Sequence, residues 1–145
     1  MRNPINIKSI EEKLNKLREC IDVLENFKSV PQKEFLKNKE KSGAAMHYLV
    51  IGIEVIVDIG QHILSEVFQT RGASYEEVIS KLGEVKAVPE EFAKENEGMA
   101  RFRNLLIHDY IKIDQNKVYQ NLQKAPDIFR KFAKYYLEFL EKKKI

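Results

Sequence analysis

The stretch SGAAMHYLVIGIEVIVDIGQHILSEVF, Ser42 to Phe68, decides the fold of this 145-residue chain. Its apolar residues fall nearly all round a helical wheel, the pattern of a long helix buried among others rather than lying on a surface. No alternating, strand-like pattern competes with it. Gly52 and Gly60 each cost a helix about 1 kcal/mol relative to Ala. The return expected for them is the close approach of a neighbouring helix or subunit. The most apolar run, Tyr48 to Ile59, is interrupted by Glu54 and Asp58 and reads as too short to span a bilayer.

Helical periodicity continues on both sides. Upstream, Ile7, Ile10, Leu14, Leu17, Ile21, Leu24 and Phe27 recur every three or four residues as one stripe. Ser9 and Glu12 are spaced there as a capping box. Pro31 ends that helix and opens a short element around Glu34 to Asn38, and the charged run Lys37 to Lys41 reads as a turn or a polar helix start. Downstream, Arg71, Gly72 and Ala73 form a break. Ser74-Tyr75-Glu76-Glu77 is a second capping box, opening a short helix to about Val85. Pro89 suits the first turn of the next helix, with Glu90 and Glu91 favourable at its positive end. That helix reaches about Asp109. Asp114 is placed to cap a last helix to Lys144, interrupted or kinked near Pro126. Its stripe of Val118, Leu122, Ile128, Phe129, Phe132, Tyr136, Phe139 and Leu140 faces a core. The expectation is an all-α bundle of about five helices, one domain over residues 1–145.

Composition narrows the function. Hydrophobic residues make up 43% and charged residues 32%, a soluble balance with a heavily charged surface. A net charge of +3 does not by itself mark a nucleic-acid binder, but leaves room for a local basic patch. Cys20 is the single cysteine, which excludes an internal disulfide framework and a cysteine-based zinc site. Met1 to Ile10 has no long apolar core, so no signal peptide and a cytoplasmic location are expected.

The chemistry concentrates in Arg101-Phe102-Arg103-Asn104-Leu105-Leu106-Ile107-His108-Asp109-Tyr110. Histidine as a residue type can take and give a proton near neutrality, and the planar fork of arginine matches phosphate oxygens. Together they suffice to cleave a phosphodiester without a metal. Asn104 and His108 are four apart and share a helix face, whereas Arg103 and His108 are five apart and are not stacked. Phe102, Leu105 and Leu106 anchor the segment on the core side. Read from spacing alone, a histidine near a helix C-terminus also serves simply to stabilise the helix dipole, and a nearby arginine is often solvated. One histidine is also half of an acid–base pair, and a symmetric dimer would supply the other.

Other polar groups are less specific. Glu54, Asp58 and His62 form one polar line on the buried helix. They lack the spacing and the second line of ligands of a di-iron bundle, so no metal is expected. Pairing with Arg101 or Arg103 is the better reading. His47 reads as structural or exposed. Lys124, Arg130, Lys131, Lys134 and Lys142 to Lys144 either guide RNA or form a solvated helix face. Phe129, Phe132, Tyr135, Tyr136 and Phe139 read as core.

Arg103 to Tyr110 resembles the R-x-x-x-x-H signature of HEPN domains, in the form ending H-x-Y. Glu54 to Ile59, Ser74 to Ile79 and Met99 to Asn104 are similar to the HepT-like toxin family, and the similarity is clearest from Ser42 to Asp114. It implies a HEPN-type bundle and a metal-independent, cofactor-free endoribonuclease toxin of a type II toxin–antitoxin pair, working as a homodimer with a composite site. In that reaction the ribose 2′-hydroxyl attacks the adjacent phosphate and leaves a cyclic phosphate end, which restricts the substrate to RNA. The resemblance makes His108 the general acid/base, Arg103 the stabiliser of the pentacovalent phosphate and Asn104 a supporting residue. It also implies an MNT-type nucleotidyltransferase antitoxin that adenylylates Tyr110, where bulky anionic groups would block the cleft and repel RNA. Taken alone, Tyr110 could equally pack its ring locally. Asp109 sets a carboxylate beside His108, facing either the imidazole or solvent. The alternative is a non-catalytic HEPN module that binds a nucleotidyltransferase partner or a nucleotide.

Overall fold

The computed structural model describes residues 5–143, apart from the side chain of Tyr110. Met1 to Pro4, part of the stretch read above for a signal peptide, and Lys144 of the basic cluster lie outside the described residues. Six α-helices and one 3-10 turn follow in order: α1 (Ile7–Lys28), α2 (Gln32–Lys37), α3 (Lys39–Phe68), α4 (Tyr75–Glu84), α5 (Glu90–His108), the turn Tyr110–Lys112, and α6 (Gln115–Lys143). The all-α expectation holds, with one helix more than the five expected. The addition is α2, a helix in its own right because Pro31 stands at its N-cap and fully buried Phe35 anchors it. Asn38 both ends α2 and caps α3, its side chain accepting from the Lys41 amide at 3.1 Å. The charged run Lys37 to Lys41 is therefore a helix junction one residue wide.

The first helix is capped by Asn6, whose side chain accepts from the Ser9 amide at 3.0 Å, and not by Ser9. Ser9 instead accepts from the Lys13 ammonium. The last helix continues through buried Pro126, which corrects the interruption expected there as the alternative to a kink. Proline there removes one N–H from the ladder, while Ala125, Pro126 and Phe129 are held against the core. Asp114 caps α6 as expected, accepting from the Asn116 amide at 2.9 Å.

Helix α3 is the hub, packing against α1, α2, α4, α5 and α6. Its glycines admit those neighbours. A Cβ on Gly52 would lie 2.2 Å from the ring of Phe129 on α6, and one on Gly60 would lie 2.6 Å from Leu82 on α4. The same gap at Gly60 lets the hydroxyl of fully buried Tyr136 donate to the Ile56 carbonyl at 2.7 Å. Burial pushes the Tyr136 phenol far above its ordinary range. The run Tyr48 to Ile59 is part of a longer helix, and by length and composition alone the whole of α3 would be long and apolar enough to cross a membrane. In this fold those apolar residues supply the bundle core, with Leu49, Ile53, Ile56, Ile59, Ile63 and Leu64 all buried.

The loop between α3 and α4 is tied down. The Gln61 side chain donates to the Gly72 carbonyl and accepts from its amide, both at 2.9 Å. Ser74 then caps α4 by accepting from the Glu77 amide at 3.1 Å, and Glu77 reaches back to the Ala73 amide at 3.1 Å. That backbone N–H, and then Lys81, hold the exposed Glu77 carboxyl below its ordinary range. The capping box expected from Ser74 and Glu77 is present, with the glutamate reaching one residue beyond the cap. It fixes the position of Tyr75, the first residue of α4.

Candidate active site

Helix α5 presents the motif. Phe92, Ala93, Asn96, Ala100 and Leu106 form its buried stripe, and Arg103 falls on the continuation of that stripe between Ala100 and Leu106. Its side chain is accordingly only 17% exposed. Asn104 and His108, one face over, are exposed. Five residues correspond to about 140° around a helix, which is why Arg103 turns toward the bundle and His108 toward solvent. Of the expected anchors, Leu106 is buried, while Phe102 packs against the core from a half-buried position and Leu105 is only partly covered.

Arg103 is held from three directions. Its Nη2 donates to Glu54 Oε1 of α3 at 2.6 Å, its Nη1 donates to Asn104 Oδ1 at 3.2 Å, and its guanidinium carbon lies 4.5 Å from the centre of the Tyr75 ring. Nε is buried without a hydrogen-bond partner. Arg101 takes a different carboxylate, Glu76 of α4. The polar line on α3 is thus divided. Glu54 serves Arg103, Asp58 pairs with Lys13 of α1 at 3.3 Å, and His62 is half-buried further along. No group of three or more histidine, cysteine or acidic side chains that could hold a metal occurs among the described residues.

His108 ends α5, and no hydrogen bond or ion pair joins its imidazole to Arg103 or to any other described residue. Asp109 follows as an exposed residue, its amide donating to the Leu105 carbonyl at 3.0 Å and its carbonyl accepting from Lys112 at 2.9 Å. Tyr110 begins the 3-10 turn, and its side chain is outside the described residues. Ile107 and Ile111 beside the motif are exposed apolar residues, Ile111 by 85%. The structure therefore brings Arg103, Asn104, Glu54 and Tyr75 together and leaves the His108 side chain without a partner among the described residues.

Tyr75 is the member that sequence reading misses, because neither the capping box nor the family-like stretch Ser74 to Ile79 assigns it a role. Its position against Arg103 depends on how α4 docks, and no local spacing reveals that. Behind it lies a cleft of about 560 Å3 whose walls include Glu54, Asp58, Gln61, Ser74 and Tyr75. Each of these except Tyr75 is already committed to an internal hydrogen bond or ion pair. Two of the basic residues of α6 are held in ion pairs, while Lys124, Lys131 and Lys142 are exposed. Arg130 pairs with Glu25 and Asp127, and Lys134 with Glu138. Phe129, Phe132, Tyr136 and Phe139 are buried, as expected for core, and Tyr135 stacks edge-on to Phe92. His47 is exposed, edge-on to Tyr48.

Comparison with known proteins bears on the fold and the family. A tRNA nuclease HepT from Aphanizomenon flos-aquae (strain 2012/KM1/D3) is 26% identical over 136 residues, covering 91% of this chain and 92% of that protein. The cytosolic protein of unknown function YutE from Bacillus subtilis superposes with a TM-score of 0.80 at 22% identity, over 96% of this chain and 93% of that one. A tri-AMPylated HEPN toxin from Shewanella oneidensis, solved in complex with MNT antitoxin, superposes with a TM-score of 0.81 at 18% identity, over 89% of this chain and 96% of that one. The family model described as ribonuclease HepT-like matches residues 10–136, nearly the whole of the bundle from α1 into α6. The chain belongs to the HepT-like ribonuclease family.

Proposed function

We propose that this protein is a metal-independent endoribonuclease toxin of a type II toxin–antitoxin pair, cleaving RNA of the tRNA class at a composite site across a homodimer in the cytoplasm. The observation that carries the reading is the split within one helix. Arg103 is fixed against the bundle, and His108 stands exposed at the end of α5 with no partner among the described residues. A fixed cation and an unencumbered imidazole are what transphosphorylation needs.

In the proposed reaction His108 takes the proton from a ribose 2′-hydroxyl as its oxygen attacks the adjacent phosphorus. Arg103 meets the two negative oxygens of the pentacovalent phosphate, with Asn104 beside it. The bond to the 5′-oxygen breaks, and that oxygen takes a proton from the partner subunit's His108. The products are a cyclic phosphate and a 5′-hydroxyl. The single histidine of the motif supports the two-subunit arrangement, since an acid–base pair needs a second one, and the exposed apolar Ile107 and Ile111 flanking it suit a covered face.

Tyr110 is the proposed control point, adenylylated by an MNT-type nucleotidyltransferase antitoxin. Its place two residues after His108, in the turn that leaves α5, supports this. Added adenylates there would put negative charge where the RNA phosphate has to sit. The reading is tested by RNA cleavage with purified protein in chelator. Wild type should cut, and His108→Ala and Arg103→Ala should each lose about 100-fold or more in kcat. Intact RNA with unmodified wild type would leave the non-catalytic HEPN module that binds a nucleotidyltransferase or nucleotide, and full activity in both variants would overturn the assigned mechanism.

A further inference from the structure

We propose that Tyr75 and Glu54 are positioning residues that clamp the guanidinium plane of Arg103, and that a substrate phosphate meets this arginine end-on through Nη1 and Nη2. The proposal rests on Arg103 being the phosphate-stabilising group. An unrestrained arginine samples many rotamers, so its fork is useful at a reacting phosphate only when its plane is set in advance. Here two other helices set it. Tyr75, at the start of α4, covers one flat face at 4.5 Å, and Glu54 of α3 takes a hydrogen from Nη2 at 2.6 Å. The platform is itself anchored, by the Ser74 cap and by the double hydrogen bond between Gln61 and Gly72.

The buried Nε decides the direction of approach. It has no partner and no exposure, so the side-on pairing of arginine through Nε and Nη2 is closed to a substrate. What remains is the terminal pair of nitrogens, each with one hydrogen not used by Glu54 or Asn104. Glu54 also tempers the net charge of the group, so its value lies in placement. The Tyr75 hydroxyl makes no hydrogen bond among the described residues. The ring face alone therefore accounts for the contact, and phenylalanine should replace it.

The test uses the full chain with Tyr75→Phe, Tyr75→Leu, Glu54→Asp and Glu54→Gln. Two readouts are taken on each: the rate at which phenylglyoxal modifies Arg103, followed by peptide mass, and kcat and KM for RNA cleavage. Tyr75→Phe should protect Arg103 as wild type does. Tyr75→Leu should raise its modification about tenfold and lower kcat about tenfold, with KM within about twofold. Glu54→Gln should do the same, and Glu54→Asp should recover part of the loss. Fully buried Cys20 reports folding in the same samples, since a thiol reagent reaches it only in an unfolded variant. Where Cys20 reacts in Tyr75→Leu, the Glu54→Gln arm decides. Arg103 as protected in Tyr75→Leu and Glu54→Gln as in wild type overturns the clamp, and so does Tyr75→Phe behaving like Tyr75→Leu. If wild type fails to cut RNA while the protection pattern holds, the role of Arg103 in catalysis fails and the clamp stands.

Discussion

Arg103 and His108 owe their different surroundings to one turn of helix arithmetic. Arg103 lies in register with Ala100 and Leu106 and is drawn into the bundle, where Glu54 neutralises it and Tyr75 covers it. His108 lies about 140° away and faces solvent. Lysine at position 103 would keep the charge but lose the flat face and the fork, so Arg103→Lys should cost about as much kcat as Arg103→Ala, about 100-fold, in single-turnover cleavage. Asn104→Ala removes one acceptor at 3.2 Å from an exposed position and should cost about fivefold. Cys20 tests burial without reference to function. Desolvation pushes its thiol from 9.0 to about 11, so it should resist iodoacetamide in the native protein and react on unfolding. Because its folded value is raised, its contribution to stability is intact below about pH 9 and is lost as pH rises toward about 11. Much of this scale was legible in the chain. The polar line of Glu54, Asp58 and His62 was readable as a partner for Arg101 or Arg103, though only Glu54 of the three pairs with either, and the motif itself is local. Tyr75 was not legible, because its contact with Arg103 joins residues brought together only by docked helices.

The elements show where local rules decided and where packing overruled them. Gly43 and Gly52 lie on the same helix yet predict opposite effects. A Cβ on Gly43 meets nothing within 4 Å, so Gly43→Ala should gain up to about 1 kcal/mol from helix propensity. A Cβ on Gly52 would sit 2.2 Å from Phe129, whose ring is 1% exposed and has nowhere to retreat. Overpacking of about 1–3 kcal/mol should outweigh the helix gain there. Thermal melts should place Gly43→Ala above wild type and Gly52→Ala several degrees below it. Caps were readable from spacing at Ser74 and Asp114, where side chain and amide are a few residues apart. At the start of α1 the pattern offered Ser9, and the helix begins three residues earlier on Asn6. Periodicity specifies a helix's face better than its first residue. Pro126 is the clearest override. Its neighbours Leu122, Ala125 and Phe129 are buried, and that packing carries α6 through a residue that locally disfavours it.

For the whole molecule, α3 explains both the fold and the site. The same helix supplies the core through Ile53, Ile56 and Ile63 and the carboxylate that holds Arg103 through Glu54. An apolar helix with one functional acid is thus the link between stability and chemistry. The all-α class followed from that stretch, because a helix apolar on every side needs helices around it. The arrangement of those helices did not follow, because α4 and α5 are set by long-range packing. The proposed composite site predicts a dimer by light scattering at micromolar concentration, and Ile111→Asp should shift it toward monomer with a parallel loss of cleavage. The central claim is that this chain cuts RNA through the ribose 2′-hydroxyl, with its own side chains as the catalysts. Mass spectrometry of the ends left on RNA by purified protein in chelator tests it most directly. Wild type should leave a 2′,3′-cyclic phosphate paired with a 5′-hydroxyl, and His108→Ala should leave neither. Uncut RNA, or a 3′-hydroxyl paired with a 5′-phosphate, would contradict it.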